Sequence, residues 1–218
     1  MERIGHRGCA QQFPENTLFA VRETAKRLNW VEVDLRRCGT GEIVVFHDER
    51  VDRVTDGSGN VRDLSLETLR SLRVSETEHH IPTLRELVEE LPAGLSVQLE
   101  LKETGIAGDV VRLIDPIADR VRFSSFQPEA LAEIAAAAPQ ADWGYLFGEH
   151  PLESLELAAE LACSAVHPKA TLCGETDVVE TAHERSFDVI AWYGTSKELV
   201  ELAENAGADG ITTDHSDW

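Results

Sequence analysis

Two pairs of charged residues, each pair two positions apart, carry the strongest chemical signal: Glu32 and Asp34 in "VEVDL", and Glu100 and Lys102 in "LELKE". On a β-strand, residues two apart point to the same face. Each pair therefore presents its charges together, while Val31, Val33 and Leu35, or Leu99 and Leu101, face the other way. If both strands turn these faces to one place, three carboxylates and a lysine converge there. Desolvated like charges repel strongly, so such a cluster requires a cation among them. Oxygen-only ligands suit Mg2+, Ca2+ or Mn2+ rather than a structural zinc. Taken singly, "VEVDL" reads as a half-exposed strand with a solvated polar face; its repetition in "LELKE" tips the reading to a metal site.

His6 and His47 each end an apolar run, "RIGH" and "IVVFHD". Two histidines flanking a reacting group can serve as general base and general acid, since their ordinary pKa lies near neutrality. Either one alone reads as a core or loop histidine. Arg7 adds a planar fork matched to phosphate oxygens, and Lys102 a point charge. Other segments carry less. "DRVTDGSGNVRD" from residue 52 has Val54 where a calcium loop needs Asp or Asn, so it reads as a glycine turn. His79 and His80 in "ETEHHIP" read as a solvated loop. "FSSF" lacks the G-x-S-x-G context of a serine nucleophile, and neither "GHRG" nor "DGSGN" is a dinucleotide or P-loop fingerprint.

Such residues need a scaffold that gathers them. Eight short apolar runs supply candidate strands: "RIGH" near residue 4, "VEVDL" from 31, "SVQLEL" from 96, "VRFSSF" from 121, "WGYLF" from 143, "SAVHP" from 164, "FDVIAW" from 187 and "DGITTD" from 209. Between them "TLFAVRETAKRL", "PTLRELVEEL", "PEALAEIAAAA", "PLESLELAAELA", "ETDVVETAHER" and "SKELVELAENAG" carry apolar residues at helical spacing. "TGIAGDVVRLID" is a weaker, glycine-interrupted helix. This alternation predicts an α/β fold, a TIM (β/α)8 barrel. Residues 39–82 break the rhythm and read as an insertion after the second strand: a hairpin strand "EIVVFHD", a Gly-rich turn region and a short helix around "LETLRSL". Insertions at the C-terminal ends of barrel strands are where function concentrates.

A chain of 218 residues fits one domain, 1–218, and contains no run of apolar residues long enough to span a bilayer and no apolar leader. A soluble, cytoplasmic protein is expected. The four cysteines show no C-x-x-C spacing and read as plain thiols. The charge balance is extreme: 40 Asp and Glu against 20 Lys and Arg, only four of them lysine. So acidic a surface repels nucleic acid and anionic lipid, which excludes those partners. It also resembles the composition of proteins from salt-loving cells, where salt screens self-repulsion.

The motifs together resemble the glycerophosphodiester phosphodiesterase family, whose signature runs H-R-G, E-N-T, E-x-D, H-D and E-x-K. This chain has "HRG" at 6–8, "ENT" at 15–17, "EVD" at 32–34, "HD" at 47–48 and "ELK" at 100–102, in that order. The likeness continues through "IPTLRELVEEL", "FSSFQPEAL" and "GADGITTD". The resemblance implies a TIM barrel with a small insertion, hydrolysing glycerophosphodiesters to glycerol phosphate and an alcohol with a divalent metal, Mg2+ or Ca2+, with Mn2+ as a further candidate. It implies Glu32, Asp34 and Glu100 as metal ligands and His6 and His47 as the acid–base pair. Arg7 and Lys102 match phosphate-contacting positions, Trp192 a pocket-lining one, and Glu15 and Asn16 residues that brace the site. The chain departs from the family where W-T-V-N is usual: it has "WYGT" at 192–195, and it ends in "TDHSDW" without the usual proline.

Three rival readings use the same barrel. Lys102 as a Schiff-base lysine is opposed by neighbouring carboxylates, which hold an amine protonated. A non-catalytic phosphate-binding barrel would be expected to have lost a histidine or a carboxylate, and none is missing. A phospholipase-type phosphodiesterase acting on intact phospholipid needs an exposed apolar or basic membrane-facing segment, and none is evident.

Overall fold

The structure is a computed structural model that describes residues 1–218. Its strands are β1 (Glu2–Gly5), β2 (Trp30–Arg37), β3 (Ile43–Val45), β4 (Ser96–Leu101), β5 (Val121–Ser125), β6 (Asp142–Phe147), β7 (Ala165–Pro168), β8 (Asp188–Gly194) and β9 (Gly210–Thr213). All except β3 are parallel to their neighbours, and β1 pairs with both β2 and β9, which closes a ring of eight. The fold is a TIM barrel. All eight expected barrel strands are present, and β3 is an extra strand antiparallel to the end of β2.

The α-helices are α1 (Leu18–Thr24), α2 (Leu66–Ser71), α3 (Leu84–Glu90), α4 (Ala107–Ile114), α5 (Pro128–Ala137), α6 (Pro151–Glu160), α7 (Ala170–Glu175), α8 (Val178–Glu184) and α9 (Lys197–Asn205). Their starts follow local chemistry. Thr17 Oγ1 accepts from the Ala20 N–H at 3.1 Å, and Thr83 and Glu86 form a reciprocal capping box on α3. α4 forms in spite of Gly108, because Ala107, Val110 and Ile114 bury one face. α7 has no counterpart among the expected helices: "ATLCGE" is too short to show a period, and only burial of Ala170 and Cys173 against the barrel reveals it.

Alternation along the strands divides the apolar residues into two layers. Val31, Val33, Leu35 and Leu99 point outward and join Leu84, Leu87 and Val110 in a core of 41 buried residues. Inside the barrel, Ile4, Ala165 and Ile190 pack with Trp30 at one end. Arg122 stacks on Trp30 at 3.9 Å and bonds Gln98 and Glu2. The insertion holds a small core of its own, which includes Val44, Phe46, Val51, Val61, Leu69 and Ile81. All four cysteines are buried and unpaired in disulfides, and no helix is long and apolar enough to cross a membrane.

Candidate active site

Register brings the two charged pairs side by side. Asp34 on β2 lies opposite Glu100 on β4, and Glu32 lies opposite Gln98 one step earlier. Because their odd-numbered neighbours are committed to the outer core, Glu32, Asp34 and Glu100 must project into the barrel. They are 2 %, 0 % and 8 % exposed. One oxygen from each lies within 4.8 Å of the others.

The insertion delivers His47. β3 pairs Val45 with Leu35, the Phe46 N–H donates to Asp34 O at 2.9 Å, and Arg36 Nε donates to His47 O at 2.7 Å. The next side chain is thus held beside the end of β2. His6 follows β1 in a tight turn over residues 6–8, where Arg7 has φ 49° and Gly8 φ 79°. A Cβ on Gly8 would meet Ala20 Cβ at 2.6 Å, so glycine is required for close packing on α1.

Each histidine has a carboxylate behind it. His6 Nδ1 lies 2.6 Å from Asp214 Oδ1, and His47 Nδ1 lies 2.5 Å from Asp48 Oδ1. A carboxylate only accepts, so Nδ1 is the donor in both pairs, which leaves Nε2 of each ring to take a proton when the ring is neutral or to give one when it is charged. Asp48 in turn accepts from Arg53, which also bonds Glu15. Although burial opposes it, these bonds from Arg53 and His47 hold the Asp48 carboxyl down at about 2. Burial, reinforced by the charges of Arg7 and Lys102, lowers the His47 pKa against the pull of Asp34 and Asp48. Asp214 carries no motif of its own; its one sequence signal is its position just after the last strand in "TTD". Asp48 belongs to "HD", but adjacency alone assigns it no role.

Arg7 binds the carboxylates around it. Its backbone N–H donates to Glu32 Oε2 at 2.9 Å and Nη1 to Glu15 Oε1 at 3.0 Å, while Nε lies 3.3 Å from Asp34 Oδ2. Asn16 Nδ2 donates to Asp34 Oδ2 at 2.8 Å, and its Oδ1 accepts from the Asp34 N–H. Glu15 and Asn16 therefore brace the cluster, one through Arg7 and the other directly. Lys102 Nζ bonds Glu100 and lies 3.6 Å from Asp34 Oδ1. The carboxylates respond unequally. Burial, with repulsion from Asp34 and Glu100, pushes Glu32 well above the usual range. Burial would raise Asp34 as well, but the charges of Arg7 and Lys102 outweigh it and hold Asp34 low. Glu100 is raised by burial and by Asp34, against the pull of Lys102. Burial works against the Lys102 ammonium, yet Asp34 and Glu100 raise its pKa, the reverse of what a Schiff-base lysine needs.

The cluster fits a hard divalent cation. Glu32 Oε1 and Asp34 Oδ1 are buried without a hydrogen-bond partner. Oxygens around one ion at about 2.1–2.5 Å lie at most about 5 Å apart, as the three carboxylates allow. Trp192 stands across the mouth, where two β8 residues between Ala191 and Gly194, Trp192 and Tyr193, lie opposite one on β9, Thr212. This bulge re-aims the strand. Trp192 Nε1 donates to Phe147 O at 2.9 Å, and the ring packs edge-on against Phe126. The other singled-out residues stay apart from the cluster: His79 stacks on Phe19, and Ser125 Oγ donates to Leu101 O.

Known proteins resemble this chain in sequence and in fold. The sequence profile of the Glycerophosphoryl diester phosphodiesterase family matches residues 6–218. A glycerophosphodiester phosphodiesterase of Caldanaerobacter subterraneus is 30 % identical, the match covering 97 % of this chain and 93 % of the relative. Among solved structures, a candidate glycerophosphodiester phosphodiesterase from Galdieria sulphuraria superposes with a TM-score of 0.87 at 32 % identity, over 99 % of this chain and 94 % of that one. An Oleispira antarctica phosphodiesterase, solved with the product sn-glycerol-3-phosphate, gives a TM-score of 0.87 at 27 % identity, over 98 % and 93 % of the two chains.

Proposed function

The chain belongs to the glycerophosphoryl diester phosphodiesterase family, and from that membership we propose that it hydrolyses glycerophosphodiesters to glycerol phosphate and an alcohol, as a single domain, with a divalent metal and two histidines. The observation that carries this reading is the constellation at the barrel mouth: two imidazoles, each with Nδ1 engaged by a carboxylate, beside a buried triad of carboxylates. His6 lies close enough to Glu100, and His47 to Asp34, for each to act on that carboxyl's charge.

Glu32, Asp34 and Glu100 would hold the cation, which when bound neutralises charge on the phosphoryl group. Lys102, and the N–H groups of Arg7 not already engaged, stabilise the phosphoryl oxygens as negative charge accumulates on them. One Nε2 takes the proton from the attacking oxygen as its bond to phosphorus forms. The other histidine, protonated, gives a proton to the departing alkoxide as the P–O bond breaks, so charge and protons balance. Water and a neighbouring hydroxyl of the substrate use the same pair. A single turnover in 18O water separates them, since attack by the hydroxyl yields a cyclic phosphate first. Trp192 lines the pocket for the organic part of the substrate. The acidic, lysine-poor composition supports work at high salt.

The deciding experiment is release of glycerol phosphate from a panel of glycerophosphodiesters with Mg2+, Ca2+ or Mn2+, at low and high salt. Metal-dependent release is expected. Full activity in excess EDTA would remove the metal from the reading, and no release from any diester would overturn it.

A further inference from the structure

Across the mouth from the carboxylates runs a row of aromatic rings with a lysine at each end. Lys102 Nζ lies 5.8 Å from the centre of Phe126, and Phe126 meets Trp192 edge-on at 5.0 Å. Trp192 meets Tyr193 at 5.6 Å, and Lys169 Nζ lies 5.9 Å from the centre of Tyr193. Phe126, Trp192 and Lys169 line one open cavity of about 470 Å3. Phe126 and Tyr193 are 40 % and 45 % exposed and are joined through Trp192 into one contiguous aromatic patch, the kind of surface that marks a binding groove.

Lys169 differs from the other three lysines. Lys26, Lys102 and Lys197 are each paired with a glutamate, and Lys169 makes no ion pair. In a chain of net charge −20 a lysine finds a carboxylate easily, so an unpaired one at the mouth is informative. The fold holds it in position. The Lys169 N–H donates to Phe147 O at 2.9 Å, and Lys169 bridges to Trp192 across the sheet. Tyr193, at φ 73° in the β8 bulge, brings its ring within cation–π reach of the ammonium. The other ionisable groups on the cavity wall are Tyr145, His150 and Glu149. Glu149 is 86 % exposed at its side chain and lies 3.9 Å from His150 Nε2.

We infer that Lys169 and the Phe126–Trp192–Tyr193 row form a subsite for the leaving-alcohol portion of the diester, one that favours a head group bearing a carboxylate or a further phosphate over a trimethylammonium group. This assignment rests on the phosphodiesterase reading above. The rings cover the carbon face of the head group, and the ammonium meets its anion with a charge-assisted bond. Bare rings would attract a quaternary ammonium, but Lys169 already lies within cation–π reach of Tyr193 and repels a second cation.

The test is the ratio of kcat/KM for glycerophosphoinositol 4-phosphate to that for glycerophosphocholine, measured on the metal-loaded enzyme. The wild type favours the anionic substrate. Lys169→Gln lowers the ratio about tenfold, mostly through KM, because one partly exposed charge-assisted bond is lost. Lys169→Arg keeps the preference, Lys169→Glu reverses it, and about 1 M salt weakens it. A ratio unchanged in Lys169→Gln, or a wild type that prefers the choline diester, overturns the subsite alone. No turnover of either diester, or of others supplied, overturns both this assignment and the phosphodiesterase reading.

Discussion

On the side of the mouth formed by β1, β2 and β4, the functional side chains are locked into a mesh of ion pairs and hydrogen bonds. On the side formed by β5, β7 and β8, the exposed groups are aromatic rings and one lysine without a counter-ion. The difference follows from what each side buries. Charges removed from water must be matched, and every match fixes a geometry. Rings need only shape, so they tolerate an open and adaptable wall. On the proposed reading the first side reacts and the second recognises, so substitutions on the two should differ in kind.

The largest effect is expected on the charged side. Glu32→Ala or His47→Ala should lower kcat by about 10³-fold or more, since in the proposed mechanism each removes a metal ligand or a proton carrier. Steady-state rates within tenfold of wild type would break the comparison. Asp214→Asn should cost less, about 10²-fold in kcat with little change in KM, because an amide no longer fixes the His6 tautomer. An effect confined to KM would show that Asp214 does not act through His6.

Metal binding should also be visible without turnover. Saturating Mg2+, Ca2+ or Mn2+ should raise Tm by about 5–10 °C, and Glu100→Gln should abolish that shift. Calorimetry in EDTA and then in metal checks it, and an undiminished shift in Glu100→Gln would place the ion elsewhere.

The smallest and most specific effect belongs to the opposite side. His167 on β7 is fully buried with neither ring nitrogen hydrogen-bonded. Burial, helped by the charge of Arg122, lowers its pKa from 6.5 to about 3. Between those values the unfolded chain binds a proton that the folded chain does not, so stability rises with pH and is lost on acidification through that window. His167→Gln should therefore lose less Tm than wild type between about pH 7 and pH 4. Equal losses would mean that the β7 side contributes nothing to acid sensitivity.

The two sides were also unequally legible. Glu32, Asp34, Glu100 and Lys102 could be paired from sequence because a strand alternates with period two and their neighbours are unambiguously apolar. His6 and His47 were legible as strand-end histidines in family motifs. Their carboxylate partners were not equally so: Asp48 lies next in sequence to His47, but Asp214 is 208 residues from His6. Trp192 was legible as an aromatic at the right strand, whereas the bulge that aims it depends on one residue of mismatch between β8 and β9. Arg7 reads from sequence as a phosphate fork, and only packing reveals how much of it is engaged by Glu15, Glu32 and Asp34.

The sequence by itself determined the strand and helix rhythm, the number of barrel strands, and the side of each strand that carries charge, because these are local consequences of residue type and period. Tertiary structure alone decided which charges meet. Closure of β1 onto β9 brings Asp214 behind His6, the β2–β4 register aligns Asp34 with Glu100, and the pairing of β3 carries His47 to the rim. Those contacts join residues far apart in the chain, and no local rule fixes them until the ring is closed.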